Sequence, residues 1–187
     1  AILLGHRYSG GFEPHGYEQY EYVGLFKEGN KYFLKPTKIK IETSFDKCSG
    51  DSIFSAKALT KGECLYLFSE LKEYPKEAVK TNIITPAAKR YLQAKNKYSF
   101  TFNNQQYSLS AEGKVESPQK TKDYKLTLTN SSNKIQQKLI EEESIENSKV
   151  EILFIGDFYN DGKPDFIINA PPQKDTRNIM LFLSSFS

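Results

Sequence analysis

Alternation of apolar and polar residues is the dominant pattern along this chain. It is clearest in Lys38-Ile39-Lys40-Ile41-Glu42, where every second side chain is apolar, the period of a strand with one wet face. Tyr20 to Phe26 is rich in β-branched and aromatic residues and meets Lys31-Tyr32-Phe33-Leu34 across a Lys27-Glu28-Gly29-Asn30 turn, which predicts a hairpin. Further strands are expected at Cys64 to Phe68, Tyr98 to Phe102, Tyr107 to Ala111, Tyr124 to Thr129 and Ile135 to Ile140. Asn103-Asn104 and Asn130-Ser131-Ser132-Asn133 supply turns between them. Strands repeating every eight to twelve residues or so predict an all-β fold, mainly antiparallel and sandwich-like or barrel-like. Thr85-Pro86-Ala87-Ala88-Lys89-Arg90-Tyr91-Leu92-Gln93 departs from that pattern. It offers an N-cap, a proline at the first helical position and good helix formers, so one short helix is expected within residues 85–95. The polar stretch Glu116 to Lys122, with Pro118 inside it, reads as an exposed loop.

Near the C-terminus two apolar runs, Val150 to Gly156 and Phe166 to Asn169, bracket Asp157-Phe158-Tyr159-Asn160-Asp161-Gly162-Lys163-Pro164-Asp165. Carboxylates stand at the first, fifth and ninth positions and glycine at the sixth. A hard cation takes about six to eight oxygens at about 2.3–2.6 Å, and acids at every fourth residue of a tight loop are one way to converge them, so calcium is the candidate ion. The segment is not an EF-hand, because its flanks read as strands and Ile168 stands at the twelfth position, where a bidentate Glu is needed. Asn160-Asp161-Gly162 is also a good hairpin turn in its own right, since Asn and Asp tolerate left-handed backbone and Gly adopts it freely. An ion site and a bare turn are both compatible with these residues. Either way, 150–169 is expected to form a hairpin, with 178–183 as a third adjacent strand.

From Gly156-Asp157-Phe158 to Asp161-Gly162-Lys163-Pro164-Asp165-Phe166 the chain resembles the strand-loop-strand segment of FG-GAP and VCBS-type repeats, over roughly twenty residues. The resemblance implies that Asp157, Asp161 and Asp165 give carboxylates to calcium and Lys163 its backbone carbonyl. Tyr159 occupies the third position, where those repeats carry Asp or Asn, so Asn160 or a water is left to supply that oxygen. Fewer charged ligands imply weak, extracellular-range affinity. The loop occurs once, whereas a propeller needs several blades. The final segment Asn178 to Ser185, with Tyr22, Gly24, Leu25, Asp46 and Cys48 upstream, is similar to small β-rich bacterial envelope proteins made behind a signal peptide. That likeness implies a secreted or periplasmic protein and carries no activity.

Composition agrees with such a protein. The chain has 187 residues, 38% hydrophobic and 26% charged, a size at which one domain can bury a core without metal or disulfide staples, so 1–187 is expected to be a single β-rich domain. No apolar run approaches the roughly 18 residues of a spanning helix, so no transmembrane segment is expected. The chain starts at Ala1 without a charged n-region or apolar h-region, and any secretory signal is expected to have been removed or left out. A net charge of +3, with Glu70, Glu73 and Glu77 among the lysines of 70–97, argues against nucleic acid as a partner. Cys48 and Cys64 are too few and too far apart for a zinc site or a redox C-x-x-C. In an envelope protein they are expected to form a disulfide, with two buried thiols as the alternative.

Catalytic patterns are weak. His6 and His15 are the imidazoles of the chain, near its start with Glu13, and nothing fixes their geometry. No nucleophile elbow, phosphate loop, dinucleotide fingerprint or H-E-x-x-H is present. The acids Glu141, Glu142, Glu143 and Glu146 read as a solvated turn rather than as a glycosidase pair. The expected function is therefore non-enzymatic: an envelope or secreted binding module with a calcium-stabilised loop and a protein or envelope ligand as partner. The alternative is an accessory or degenerate hydrolase domain with the acidic loop as its metal site.

Overall fold

A computed structural model describes residues 2–3, 7–8, 16–45, 47–48, 50, 52–69, 71, 74–81, 90–132, 135–146, 150–170 and 178–184. The fold is all-β, built from antiparallel pairs, with no α-helix among the described residues. The chain packs as two compact units: residues 1–80 with 158–160, and residues 81–157 with 161–187. The strand β8 (Lys80–Thr81) marks the changeover between them.

Among the described residues, the first unit holds two sheets. In one, the order is β1 (Ile2–Leu3), β7 (Glu63–Phe68), β3 (Tyr22–Glu28), β4 (Lys31–Thr37). The second runs β2 (Arg7–Tyr8), β6 (Ser52–Ala58), β5 (Ile39–Phe45). The expected β3–β4 hairpin is present, Leu25 opposite Leu34 and Phe26 opposite Phe33. Pro36 is tolerated in β4 because β4 lies at a sheet edge, where a missing N–H breaks no ladder. The sheets share a core: Tyr22 and Leu67 come from the first, Ile39 and Ala56 from the second. Phe158, fully buried, stands edge-on to Phe68 with ring centroids 5.8 Å apart.

The expected Cys48–Cys64 disulfide is not formed. Cys64 sits in β7 opposite Phe26 and points its thiol at Tyr66 O, 3.4 Å away, whereas Cys48 is exposed in the turn between β5 and β6. The expectation assumed that the strands carrying the cysteines are neighbours. Instead β6, which the alternation did not reveal, intervenes and pairs with β5, which leaves Cys48 in the β5–β6 turn and Cys64 on a strand of the other sheet.

In the second unit, β10 (Lys97–Phe102), β11 (Gln105–Ser117), β12 (Lys120–Asn130) and β13 (Ile135–Glu146) follow one another as a meander. Asn103 and Asn104 turn β10 into β11 with φ of 45° and 62°, both left-handed as a tight hairpin requires. A facing sheet places β14 (Val150–Asp157), β15 (Asp165–Asn169) and β16 (Ile179–Phe182) side by side, as expected for these three segments. A single core joins the sheets, with Leu109, Leu126 and Ile140 from the meander against Ile152, Ile155 and Ile168, and Phe100 edge-on to Phe166 at 6.1 Å.

Three local expectations are corrected here. Residues 85–89 of the expected helix lie outside the described residues, but Tyr91–Leu92 is strand β9, paired with Glu151 and Val150 of β14. Burial of Leu92 in the core outweighs the helix propensity of its neighbours. The stretch Glu116 to Lys122 is no loop: β11 runs to Ser117, Pro118 and Gln119 turn, and β12 starts at Lys120. Glu141, Glu142, Glu143 and Glu146 belong to β13, not to a turn, and Glu141 pairs with Lys125 and Lys138. Charge on this edge strand blunts pairing with other chains.

Candidate functional site

The acidic loop grows out of the β14–β15 hairpin, and its two end carboxylates are buried within it. Asp157, the last residue of β14, is 1% exposed. Its Oδ1 accepts the N–H of Asp161 and its Oδ2 that of Gly162, each at 2.9 Å. Asp165, the first residue of β15 and also 1% exposed, accepts both the N–H and the hydroxyl of Ser184 on Oδ1. Between these anchors Asp161 accepts the Lys163 N–H at 2.9 Å, and the Lys163 ammonium lies 3.9 Å from the same carboxylate. Gly162 has a φ of 84°, open to glycine at little cost, and its carbonyl accepts a hydrogen bond from Asn103 Nδ2 at 2.8 Å. Asn160, exposed with a φ of 55°, takes the left-handed position that its short side chain tolerates.

Asp157, Asn160, Asp161, Lys163 and Asp165 thus stand in one loop, but the carboxylates of Asp157, Asp161 and Asp165 accept hydrogen bonds from the chain's own donors. Among the described residues no three His, Cys, Asp or Glu side chains group as a set that holds a metal. The carboxylates act here as acceptors that close the turn. His6, Glu13 and His15 lie outside the described residues.

Beside the loop, within the same unit, is a cleft of about 460 Å³. Its floor is one face of the meander. Tyr107, Asn130 and Ile135 stand opposite one another on β11, β12 and β13, and Leu128 stands opposite Gln137, so their side chains share that face. Farther along the strands this face carries Leu109, Ala111 and Leu126 into the core. At the cleft the same parity switches to carboxamides: Gln105, Asn130 and Gln137 on the strands, and Asn103 at the adjoining turn. Asp161, Gly162, Lys163 and Pro164 form the wall.

The amides are partly preset. Gln105 Oε1 accepts from Tyr107 OH at 3.0 Å and from Asn130 Nδ2 at 2.8 Å, which turns its NH₂ group outward. Burial, and after it the negative charge of Asp161, raise the Tyr107 hydroxyl above its ordinary pKa, keeping it a neutral donor. None of these amides was expected at a site, and Asn103 and Asn130 were read only as turn residues. A signal existed: Gln105 continues the inward series Tyr107-Leu109-Ala111, and Asn130 continues Tyr124-Leu126-Leu128, so each is a polar residue at a core-facing parity. No protein-family model matches the chain, no curated protein matches it, and no solved structure matches it.

Proposed function

We propose that this chain is a non-enzymatic binding module, working outside the cytoplasm, whose acidic loop is a hydrogen-bonded wall of the amide-lined cleft. The supporting observation is the pair of buried carboxylates, Asp157 and Asp165, which are occupied by loop and Ser184 donors and hold Asp161 and Lys163 at the cleft rim. A cleft of about 460 Å³ falls within the size range of small-molecule sites, roughly 300–1,000 Å³. A fragment screen read on the side-chain NH₂ resonances of Gln105 and Gln137 tests the reading. Fragments that move both signals support it, and a screen that moves neither overturns it.

Calcium remains a second reading for the loop, favoured by glycine in left-handed backbone at the sixth position. On the hydrogen-bonded reading, calcium raised to millimolar levels leaves the melting temperature unchanged. A rise that chelator reverses and that Asp161→Ala abolishes would assign the ion instead.

A further inference from the structure

Resting on that binding reading, we infer that the cleft takes a neutral, polyhydroxylated ligand, an oligosaccharide without charged groups. Each carboxamide presents a donor and an acceptor on one plane, the complement of a hydroxyl that both gives and receives a hydrogen bond. Four of them, Asn103, Gln105, Asn130 and Gln137, line this single cleft. Gln105, whose oxygen is held by Tyr107 and Asn130, and Gln137, whose amide reaches into the cleft from β13, offer whole NH₂ groups to a ligand, while Asn103 and Asn130 each give one N–H to the protein.

Charge points the same way. Asp161 and Lys163 are the charged side chains of the lining, 3.9 Å apart, and their opposite signs leave little net field for a phosphate, a carboxylate or an amine. Ile135, 61% exposed, lies beside Leu128 as an apolar shelf suited to the C–H faces of a sugar ring. An extended peptide is disfavoured because it binds by adding a strand at a sheet edge, whereas this cleft lies over the sheet face, where the backbone groups between β11 and β12 and between β12 and β13 are already paired, and the outer edge of β13 is blunted by charge.

The test is a titration of the ¹⁵N-labelled protein with cellohexaose, maltohexaose and the fully N-acetylated chitohexaose in turn, alongside an uncharged Ser/Asn-rich peptide of similar length. At least one of the sugars is expected to move the NH₂ signals of Gln105 and Gln137, with an affinity that changes little between low and high salt because no ion pair is made. Gln137→Ala, a change at a half-exposed amide, should weaken that sugar by about tenfold while the melting temperature holds. Gln137→Leu, which keeps the bulk without the polar atoms, should weaken it equally. Glu143→Ala, on the exposed edge of β13, should have no effect. The inference is overturned if none of the sugars moves these signals at millimolar concentration, if the peptide alone does, or if binding is indifferent to both Gln137 variants. Should fragments still move the cleft signals while sugars do not, the binding reading survives and the saccharide assignment falls. Silence toward both removes both.

Discussion

Asp165 Oδ1 accepts two hydrogen bonds from Ser184, one from its backbone N–H at 2.8 Å and one from its hydroxyl at 2.9 Å, across 19 residues of chain. The contact locks the residues after β16 onto the end of the acidic loop. A hydrogen bond to a charged group contributes about 1.5–3 kcal/mol, so Ser184→Ala should lower the melting temperature by several degrees at about 2–4 °C per kcal/mol. Asp165→Ala should cost more, because it strands the N–H donor as well. The double variant should cost less than the sum of the singles, and strict additivity would mean that the two residues do not interact.

Asp157 closes the loop from the other end. Asp157→Ala leaves the N–H groups of Asp161 and Gly162 without their acceptor, a loss of about 1–3 kcal/mol. Native-state amide exchange should therefore quicken at Asp161 and Gly162 while the protection of Leu109 and Leu126, deep in the core, changes far less. Unaltered exchange at the two loop amides would show that the carboxylate does not hold them.

The cysteines give a chemical readout of the fold. Two thiols per chain should titrate in the denatured, unreduced protein, and none would restore the disulfide. In the native protein burial pushes the Cys64 thiol up from 9.0 to about 11, so at pH 8 its thiolate is about a hundredfold scarcer than that of an ordinary thiol and exposed Cys48 should react first. A raised pKa also fixes the sign of the pH effect. The stability contributed by keeping Cys64 neutral is complete below about pH 9 and is lost as the pH rises through about 11. Cys64→Ala should remove that part of the alkaline loss.

Gly24 is required for space rather than for backbone freedom. A Cβ there would stand 2.5 Å from the Phe26 ring and 3.0 Å from Cys64 Sγ, and Phe26 is fully buried, with nowhere to move. Overpacking of this kind costs about 1–3 kcal/mol, so Gly24→Ala should lower the midpoint of urea unfolding without changing the slope. Gly29→Ala, at a turn where a Cβ meets nothing within 4 Å, should cost only the strain of its φ of 58°. If the two variants are equally stable, the close approach at Gly24 is not limiting.

Strand content was legible because burial on one side of a sheet imposes a period of two. Tyr107 to Ala111 and Tyr124 to Thr129 show that period and lie in strands, whereas β3 (Tyr22–Glu28) was legible from its aromatic and β-branched residues. Ser52–Ala58 was not legible, since its small and polar residues pack as β6 without a clear alternation, and the pairing of the cysteines was misjudged with it. Tyr91–Leu92 was misread because a buried Leu92 gains more from the core than its neighbours gain from a helix.

By itself, then, the sequence determined the β character of the chain, the hairpin at 150–169 and the spacing that brings Asp157, Asp161 and Asp165 into one loop. Those features depend on residues close together, whose period and turn chemistry act locally. The partners of Asp165 and of the Gly162 carbonyl were decided only by the tertiary structure. Ser184 reaches Asp165 because β16 pairs with β15, and Asn103 reaches the Gly162 carbonyl from a different hairpin. The cleft arises in the same way. Gln105, Asn130 and Gln137 share one face only because antiparallel register sets β11, β12 and β13 side by side, and register is a property of paired strands rather than of any one of them.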